Sequence, residues 1–152
     1  MVATNHALKP RLALRAQMAA ELMRSNPVSV RADASLREAL ALFADKALTA
    51  APVIDEAGKP VGVLSCSDIL VHMRERTNRE SERTSEPGPA DAAVRVRDLM
   101  TPAVFAVAPE TPAAEVVAGL LHLSVHHLFV VDAQGVLVGV ISAGDVLRAM
   151  WR

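Results

Sequence analysis

The sequence contains one stretch of about fifty residues twice, and the second copy begins 77 positions after the first. When Leu22 to Met73 is aligned with Leu99 to Met150 without a gap, 15 of the 52 positions are identical. Many of the other pairs exchange one apolar residue for another. Neither copy is large enough to bury a stable core alone. We therefore expect two similar halves that pack face to face with pseudo-twofold symmetry.

Both copies show the order β-α-β-β-α, which places the chain in the α/β (α+β) class. The predicted strands are Val28–Val30, Ala51–Asp55, Val61–Ser65, Val104–Val107, Leu128–Asp132 and Val136–Ser142. The first helix of each copy is predicted from apolar residues at helical spacing, which are Leu36, Leu40 and Phe43, then Val116, Leu120 and Leu123. The closing helices are predicted near Ser67–Glu75 and Gly144–Met150.

The remaining segments divide the chain into four parts. Residues 1–18 are assigned to an N-terminal helical extension, whose helix over Leu12–Met23 leads into the first copy. The copies themselves occupy residues 19–76 and 94–152. Residues 77–93 are rich in Arg, Glu, Ser, Thr and Pro, which is typical of a solvated, flexible linker.

Composition and charge argue against several classes of partner. The net charge of -1 gives no general attraction to nucleic acid or to an anionic membrane. Aromatic residues make up 3% of the chain, too few for a base-stacking surface. The first residues lack a signal-peptide pattern, no apolar run approaches the roughly 20 residues of a membrane span, and Cys66 has no partner for an intrachain disulfide. We expect a cytoplasmic protein with neither nucleic-acid nor membrane partners.

Several motifs that occur in both copies resemble those of the CBS domain, named for cystathionine beta-synthase. At the start of the copies they are Leu22-Met23 and Leu99-Met100-Thr101-Pro102. In the second half they are Ala51-Pro52-Val53-Ile54-Asp55 with Gly62-Val63-Leu64-Ser65-Cys66-Ser67-Asp68, and Leu128-Phe129-Val130-Val131-Asp132 with Gly139-Val140-Ile141-Ser142-Ala143-Gly144-Asp145. The resemblance covers residues 19–76 and 94–152, nearly all of the chain outside the N-terminal helix and the linker.

The resemblance implies a regulatory function. CBS domains occur in pairs, and the two clefts of a pair commonly bind adenosine-containing ligands such as AMP, ADP, ATP or S-adenosylmethionine. Such pairs often dimerise and regulate an enzyme or a transporter. We therefore expect a homodimer that requires no cofactor, binds one of these nucleotides as a regulatory ligand and signals to a separate effector protein.

Each copy contains Ser-x-x-Asp where its last strand meets the closing helix, as Ser65 with Asp68 and Ser142 with Asp145. A carboxylate there can accept hydrogen bonds from both ribose hydroxyls, and the serine hydroxyl with the free amides of the helix can bind a phosphate. The resemblance implies that these residues bind ligand in this way. The same spacing is also that of a capping box, which satisfies the free amides within the chain.

His126 and His127 precede a strand of the second copy, where members of the family often carry basic residues that face ligand phosphates. The resemblance implies that they complete the cleft of Asp68, so we expect that cleft to be filled first. The alternatives are two partly exposed histidines, or a metal site that includes His122. No fourth ligand with suitable spacing accompanies these histidines, and we predict no metal.

Ser29 precedes the first-strand valine of the first copy, where the family often has a threonine near the base. We therefore include Ser29 among the ligand-binding residues. Ala106 stands at the matching position of the second copy and lacks the hydroxyl. The two clefts are thus expected to differ in chemistry although their skeletons are alike.

Two other classes of function remain as alternatives. An enzyme would need Ser65, Ser142 or Cys66 as its nucleophile, but none of them stands at a recognised catalytic spacing from a histidine. We therefore predict no catalytic residues and no enzymatic activity. A ligand-free dimerisation scaffold, in which both Ser-x-x-Asp motifs act only as helix caps, is the stronger alternative.

Overall fold

The computed structural model describes residues 14–82 and 94–150, and within these ranges the chain forms six helices and seven strands. The helices are α1 (Ala19–Leu22), α2 (Leu36–Lys46), α3 (Cys66–Glu82), α4 (Val96–Leu99), α5 (Ala113–His122) and α6 (Ala143–Met150). The strands are β1 (Arg24–Ser25), β2 (Val30–Arg31), β3 (Ala50–Ile54), β4 (Pro60–Ser65), β5 (Ala106–Val107), β6 (His127–Val131) and β7 (Leu137–Ser142). None of these helices has the length and apolar character of a membrane span.

The strands form two sheets that repeat one topology. In the first sheet β3 pairs with β2 in parallel and with β4 antiparallel, and in the second sheet β6 pairs with β5 and β7 in the same senses. The register is also repeated, because Val30 lies opposite Val53 as Val107 lies opposite Val130. The predicted β-α-β-β-α order and α/β class are therefore confirmed.

Local sequence sets the element boundaries. Ser35 caps α2, where its Oγ accepts a hydrogen bond of 3.1 Å from the backbone N–H of Glu38. The helix ends at Ala47, which has a left-handed φ of 51°. Gly58 and Gly135, with φ of 79° and 81°, allow the tight turns that join the paired strands, because glycine adopts positive φ without a steric penalty.

Each repeat has its own apolar core. The first contains Val30, Ala34, Leu36, Ala39, Phe43, Ala51, Val53, Leu64, Ile69 and Val96, and the second contains Ala19, Leu22, Ala113, Val116, Leu120, Leu128, Val130, Ile141 and Val146. Two of the apolar residues from which the helices were predicted lie outside the cores, since Leu40 is 40% exposed and Leu123 is 42% exposed. The buried face of α2 runs through Ala39 instead, and α5 ends before Leu123.

The two cores exchange their leading segments, which we define as residues 17–25 and 94–102. Ala19 belongs to the core of the second repeat, and its N–H donates to the Thr111 carbonyl at 2.8 Å. Val96 belongs to the core of the first repeat, and its N–H donates to the Ala34 carbonyl at 2.9 Å. Because these two bonds are related by the repeat, each half of the molecule is completed by a segment of the other half.

A methionine of each leading segment packs against a glycine of the other repeat. A Cβ atom added at Gly62 would lie 2.6 Å from the carbonyl oxygen of Thr101 and 2.9 Å from the sulfur of Met100. At Gly139 an added Cβ would clash with the side chain of Met23. Glycine is therefore required in both last strands by the close approach of a leading segment.

Three features differ from the sequence predictions. The predicted N-terminal helix over Leu12–Met23 is wrong in its described part, because only Ala19–Leu22 is helical and the preceding residues 14–17 are not, and residues 1–13 lie outside the described ranges. Helix α3 continues to Glu82, so residues 77–82 of the predicted linker are helical. Arg and Glu, which are frequent there, are good helix formers. Strand β1 was not predicted, because two exposed residues carry no strand pattern.

Replacement of Gly62 by Ala should lower the free energy of unfolding by about 1 to 3 kcal/mol, because the new methyl group meets a backbone carbonyl that cannot easily move. Gly119→Ala is the matched control, since its Cβ would lie 3.5 Å from Leu128 in ordinary contact. In helix α5 that change should stabilise the protein by about 0.5 to 1 kcal/mol. Urea denaturation measures the change in the free energy of unfolding for both variants. An equal change for the two would contradict the close packing of the leading segment against Gly62.

Candidate functional site

A cleft of about 520 Å³ lies at the seam between the two repeats. The leading segment and strands β3 and β4 of the first repeat form one side, and strands β6 and β7 with the start of α6 form the other. The lining residues are Arg24, Ser25, Asn26, Pro27, Val28, Leu48, Ala50, Ala51, Pro52, Val63, His127, Phe129, Val140, Ser142 and Asp145. We call this space the Asp145 cleft. Its volume is within the range of about 300 to 1,000 Å³ that is typical of small-molecule sites.

Asp145 and Ser142 form a capping box at the start of α6. The backbone N–H of Ser142 donates to Asp145 Oδ2 at 2.8 Å, and the N–H of Asp145 donates to Ser142 Oγ at 3.2 Å. The Ser142 hydroxyl also donates to Oδ2 at 2.9 Å. The predicted capping role is therefore present, and it occupies one carboxylate oxygen.

The other carboxylate oxygen is held by two arginines. Arg24 Nε, from the first repeat, lies 3.0 Å from Asp145 Oδ1, and Arg148 of α6 also donates to Oδ1. Burial raises the pKa of Asp145, but the hydrogen bonds from Ser142, Arg148 and Arg24 together outweigh it, so the pKa lies below its usual value. Asp145, at 8% exposure, is thus a buried carboxylate that stays ionised because it is paired.

His127 lies beside this carboxylate. It stands opposite Ser142 in the antiparallel pairing of β6 with β7, and it lines the Asp145 cleft. Partial burial and the nearness of His126 lower the pKa of His127 below its usual value, and the opposing effect of Asp145 does not offset them. The imidazole is therefore mainly neutral at neutral pH and is available to accept a hydrogen bond or a proton.

Ser65 and Asp68 form the equivalent capping box at the start of α3. The Ser65 N–H donates to Asp68 Oδ2 at 2.9 Å, and the Asp68 N–H donates to Ser65 Oγ at 3.2 Å. Both residues are half-buried, and neither lines the Asp145 cleft.

The structure corrects the expected pairing of the histidines with Asp68. His127 lies with Asp145 of its own repeat, because adjacent antiparallel strands place it across from Ser142. His126 precedes β6, and its carbonyl accepts a hydrogen bond of 3.2 Å from Ala143 N–H. Of the two histidines predicted to line the Asp68 cleft, His127 thus lines the Asp145 cleft and His126 does not.

Ser29 and the histidines of the alternative metal site are also placed by the structure. Ser29 Oγ donates to the Pro27 carbonyl at 3.1 Å. Pro27 and Val28 line the Asp145 cleft, but Ser29 does not. Helix α5 ends at His122, and Ser124 has a left-handed φ of 53°. Within the described ranges no group of three His, Cys, Asp or Glu side chains is arranged to hold a metal ion.

Sequence reasoning missed Arg24 and Arg148, the two arginines that pair with Asp145 Oδ1. A comparison of the two copies would have identified both arginines. The positions that match them in the other copy hold Thr101 and Val71, so the two Ser-x-x-Asp motifs have different charged neighbours. The i,i+3 spacing of Asp145 and Arg148 on one helix also favours an ion pair.

Asp145→Asn should lower the free energy of unfolding at neutral pH by about 1 to 3 kcal/mol, because it removes the charge that Arg24, Arg148 and the Ser142 amide stabilise. The pKa of Asp145 is lower in the folded protein than in the unfolded chain. Its contribution is therefore complete above about pH 4 and is lost as the pH falls through the folded-state pKa.

Urea denaturation at neutral pH and near pH 2.5 measures this difference. Asp33→Asn is the control, because Asp33 pairs with Arg31 on the surface, where ion pairs contribute about 1 kcal/mol or less. An equal loss for Asp145→Asn at both pH values would contradict the charged role of Asp145.

Comparison with known proteins places this arrangement in a family. The family model described as CBS domain matches residues 19–75 and residues 96–152. The chain is also 32% identical over 117 residues to the 5'-AMP-activated protein kinase subunit gamma-3 of Bos taurus. That match covers 77% of this chain and 22% of the kinase subunit, so the chain corresponds to about a fifth of that relative.

Solved structures share the same fold. The crystal structure of CBSX2 in complex with AMP is 32% identical, with a TM-score of 0.68, and the match covers 88% of this chain and 96% of that chain. The cytosolic domain of the Mg2+ channel MgtE in complex with ATP is 29% identical, with a TM-score of 0.67, and the match covers 87% and 48% respectively. The chain therefore belongs to the CBS domain family and carries two CBS domains in tandem.

Proposed function

We propose that this chain is a regulatory module that binds an adenine nucleotide in the Asp145 cleft and passes the ligand state to a separate effector protein. The observation that carries the proposal is the position of Asp145. A buried, ionised carboxylate stands at the start of a helix, inside a cleft of mononucleotide size at the seam of two repeats.

The chemistry of the cleft suits the parts of a nucleotide. Asp145 can accept hydrogen bonds from ribose hydroxyls, and the guanidinium of Arg24 can bind a phosphate oxygen. Val28, which is 40% exposed, and the buried Pro52 provide apolar surface on which a base can pack. His127 adds a group that becomes cationic when a phosphate raises its proton affinity.

The relatives support an adenine nucleotide as the ligand. CBSX2 has been crystallised with AMP, and the cytosolic domain of MgtE with ATP. Both are at least 29% identical to this chain over most of its length. Regulation of a partner fits the location of the site, because a ligand that binds across the seam acts on both repeats and can favour one relative arrangement.

Isothermal titration calorimetry with AMP, ADP and ATP tests the proposal. The wild-type chain should bind at least one of them below millimolar concentration, and Asp145→Asn should weaken that affinity about tenfold or more, because the ribose loses a charged acceptor. Asp132→Asn is the matched control, since Asp132 shapes the turn after β6 and does not line the cleft.

Two outcomes would contradict the proposal. If none of the three nucleotides binds, the chain is not an adenine-nucleotide sensor. Steady formation of a product from the nucleotide during the titration would show an enzyme in place of a regulatory module.

The second candidate function is a dimerisation scaffold. Exposed apolar residues on the closing helices support a homodimer, whether or not the chain also binds a nucleotide. The closing helices α3 and α6 expose large apolar side chains at equivalent positions, since Leu70 is 65% exposed and Leu147 is 66% exposed. Met73, one turn from Leu70, is 48% exposed. Because the repeat places matching apolar residues on both helices, we propose that a second copy of this chain covers them in an isologous interface.

Light scattering coupled to size-exclusion chromatography should give the mass of a dimer for the wild-type chain. Leu70→Glu combined with Leu147→Glu should shift it to a monomer, because two charges would be buried at the interface. Arg37→Glu, an exposed change on α2, should leave the mass unchanged. A wild-type chain that stays monomeric at high concentration would contradict the proposal.

A further inference from the structure

Asp145 is not free to receive a ligand in the structure, because Arg24 and Arg148 already donate to its Oδ1. Arg24 and Asp145 come from different repeats and lie 3.0 Å apart. The Arg24 side chain is 68% exposed, whereas that of Asp145 is 7% exposed. The arginine thus covers the carboxylate from the solvent side and can leave without disturbing a packed core.

The Ser-x-x-Asp motif of the first repeat, Ser65 with Asp68, has no such basic neighbours at the matching positions. Thr101 stands where the first copy has Arg24, and Val71 stands where the second copy has Arg148. Thr101 pairs with Val63 through two backbone hydrogen bonds of 2.9 Å, so it is fixed on the first sheet as Arg24 is fixed on the second. The difference between the two motifs is therefore one of charge and not of backbone position.

The ligand determines what happens to the displaced arginine. A ribose that binds Asp145 takes hydrogen-bonding capacity from Arg24, and the exposed guanidinium then loses its charge-assisted hydrogen bond. A phosphate on the same ligand supplies a new partner at once. A neutral nucleoside supplies none. S-adenosylmethionine carries a cationic sulfonium on the 5′ carbon, where a nucleotide carries its phosphate, and its carboxylate lies several bonds farther from the ribose.

We propose, as a step that rests on the nucleotide-binding function proposed above, that Arg24 makes the Asp145 cleft select phosphorylated adenosines over adenosine and S-adenosylmethionine. Arg24 has two roles in this selection. It competes with every ligand for Asp145, and it favours only those ligands that carry an anionic group next to the ribose.

Calorimetry with ATP, AMP, adenosine and S-adenosylmethionine tests the proposal on the full chain. The wild type should bind ATP at least about tenfold more tightly than adenosine or S-adenosylmethionine, as expected for a charge-assisted hydrogen bond. Arg24→Thr, which introduces the residue of the other copy, should weaken ATP binding about tenfold and leave adenosine binding unchanged or stronger. Arg37→Ala removes one exposed positive charge from α2, outside the cleft, and should change neither affinity.

The outcomes separate this inference from the function on which it rests. If Arg24→Thr weakens ATP and adenosine equally, Arg24 has only a structural role and the inference fails. If the wild type binds S-adenosylmethionine as tightly as ATP, the inference also fails, although nucleotide binding remains. If ATP binding is lost in Asp68→Asn and kept in Asp145→Asn, the ligand binds at Asp68 and the inference fails, although nucleotide binding remains. Absence of binding by all four compounds would overturn the proposed function together with the inference.

Discussion

The reciprocal hydrogen bonds between each leading segment and the other repeat connect all the main features of this molecule. Ala19 bonds to Thr111 in one direction, and Val96 bonds to Ala34 in the other. A repeat of about fifty residues is too small to bury a sufficient core, and the exchange supplies each core with an apolar segment that it lacks. Because neither half is complete alone, the seam between them is held at a fixed geometry. A cleft at that seam can therefore be preorganised by the packing between the repeats.

The same exchange creates the candidate site. Arg24 directly follows the short helix and the methionine that anchor the first leading segment on the second sheet, where β1 pairs with β7. That pairing brings a basic side chain of the first repeat to a carboxylate of the second. The ion pair thus depends on the packing that joins the repeats, and under the proposed function a ligand that replaces it would act on the contact between them. This gives a physical route by which a small ligand can alter the arrangement of the whole pair.

The sequence predicted the skeleton better than the site, and particular residues show why. Strands such as β4 and β7 were predicted from apolar runs, and both Ser-x-x-Asp motifs were recognised as possible caps, because these features depend on neighbours within a few positions. The pairing of His127 with Asp68 was wrong, since it required knowledge of which strand lies beside which. Arg24 was overlooked because an isolated arginine carries no local pattern, and its partner is 121 positions away.

The sequence by itself determined that the chain has two equivalent halves, that each half has the order β-α-β-β-α, and that a serine and an aspartate stand at the start of each closing helix. Hydrophobic periodicity and short-range capping encode these features, and both can be read from nearby residues. Only the tertiary structure decided that the leading segments exchange between halves, and that the basic residues gather at Asp145. Those outcomes depend on long-range packing and strand register, which bring together residues that no local pattern connects.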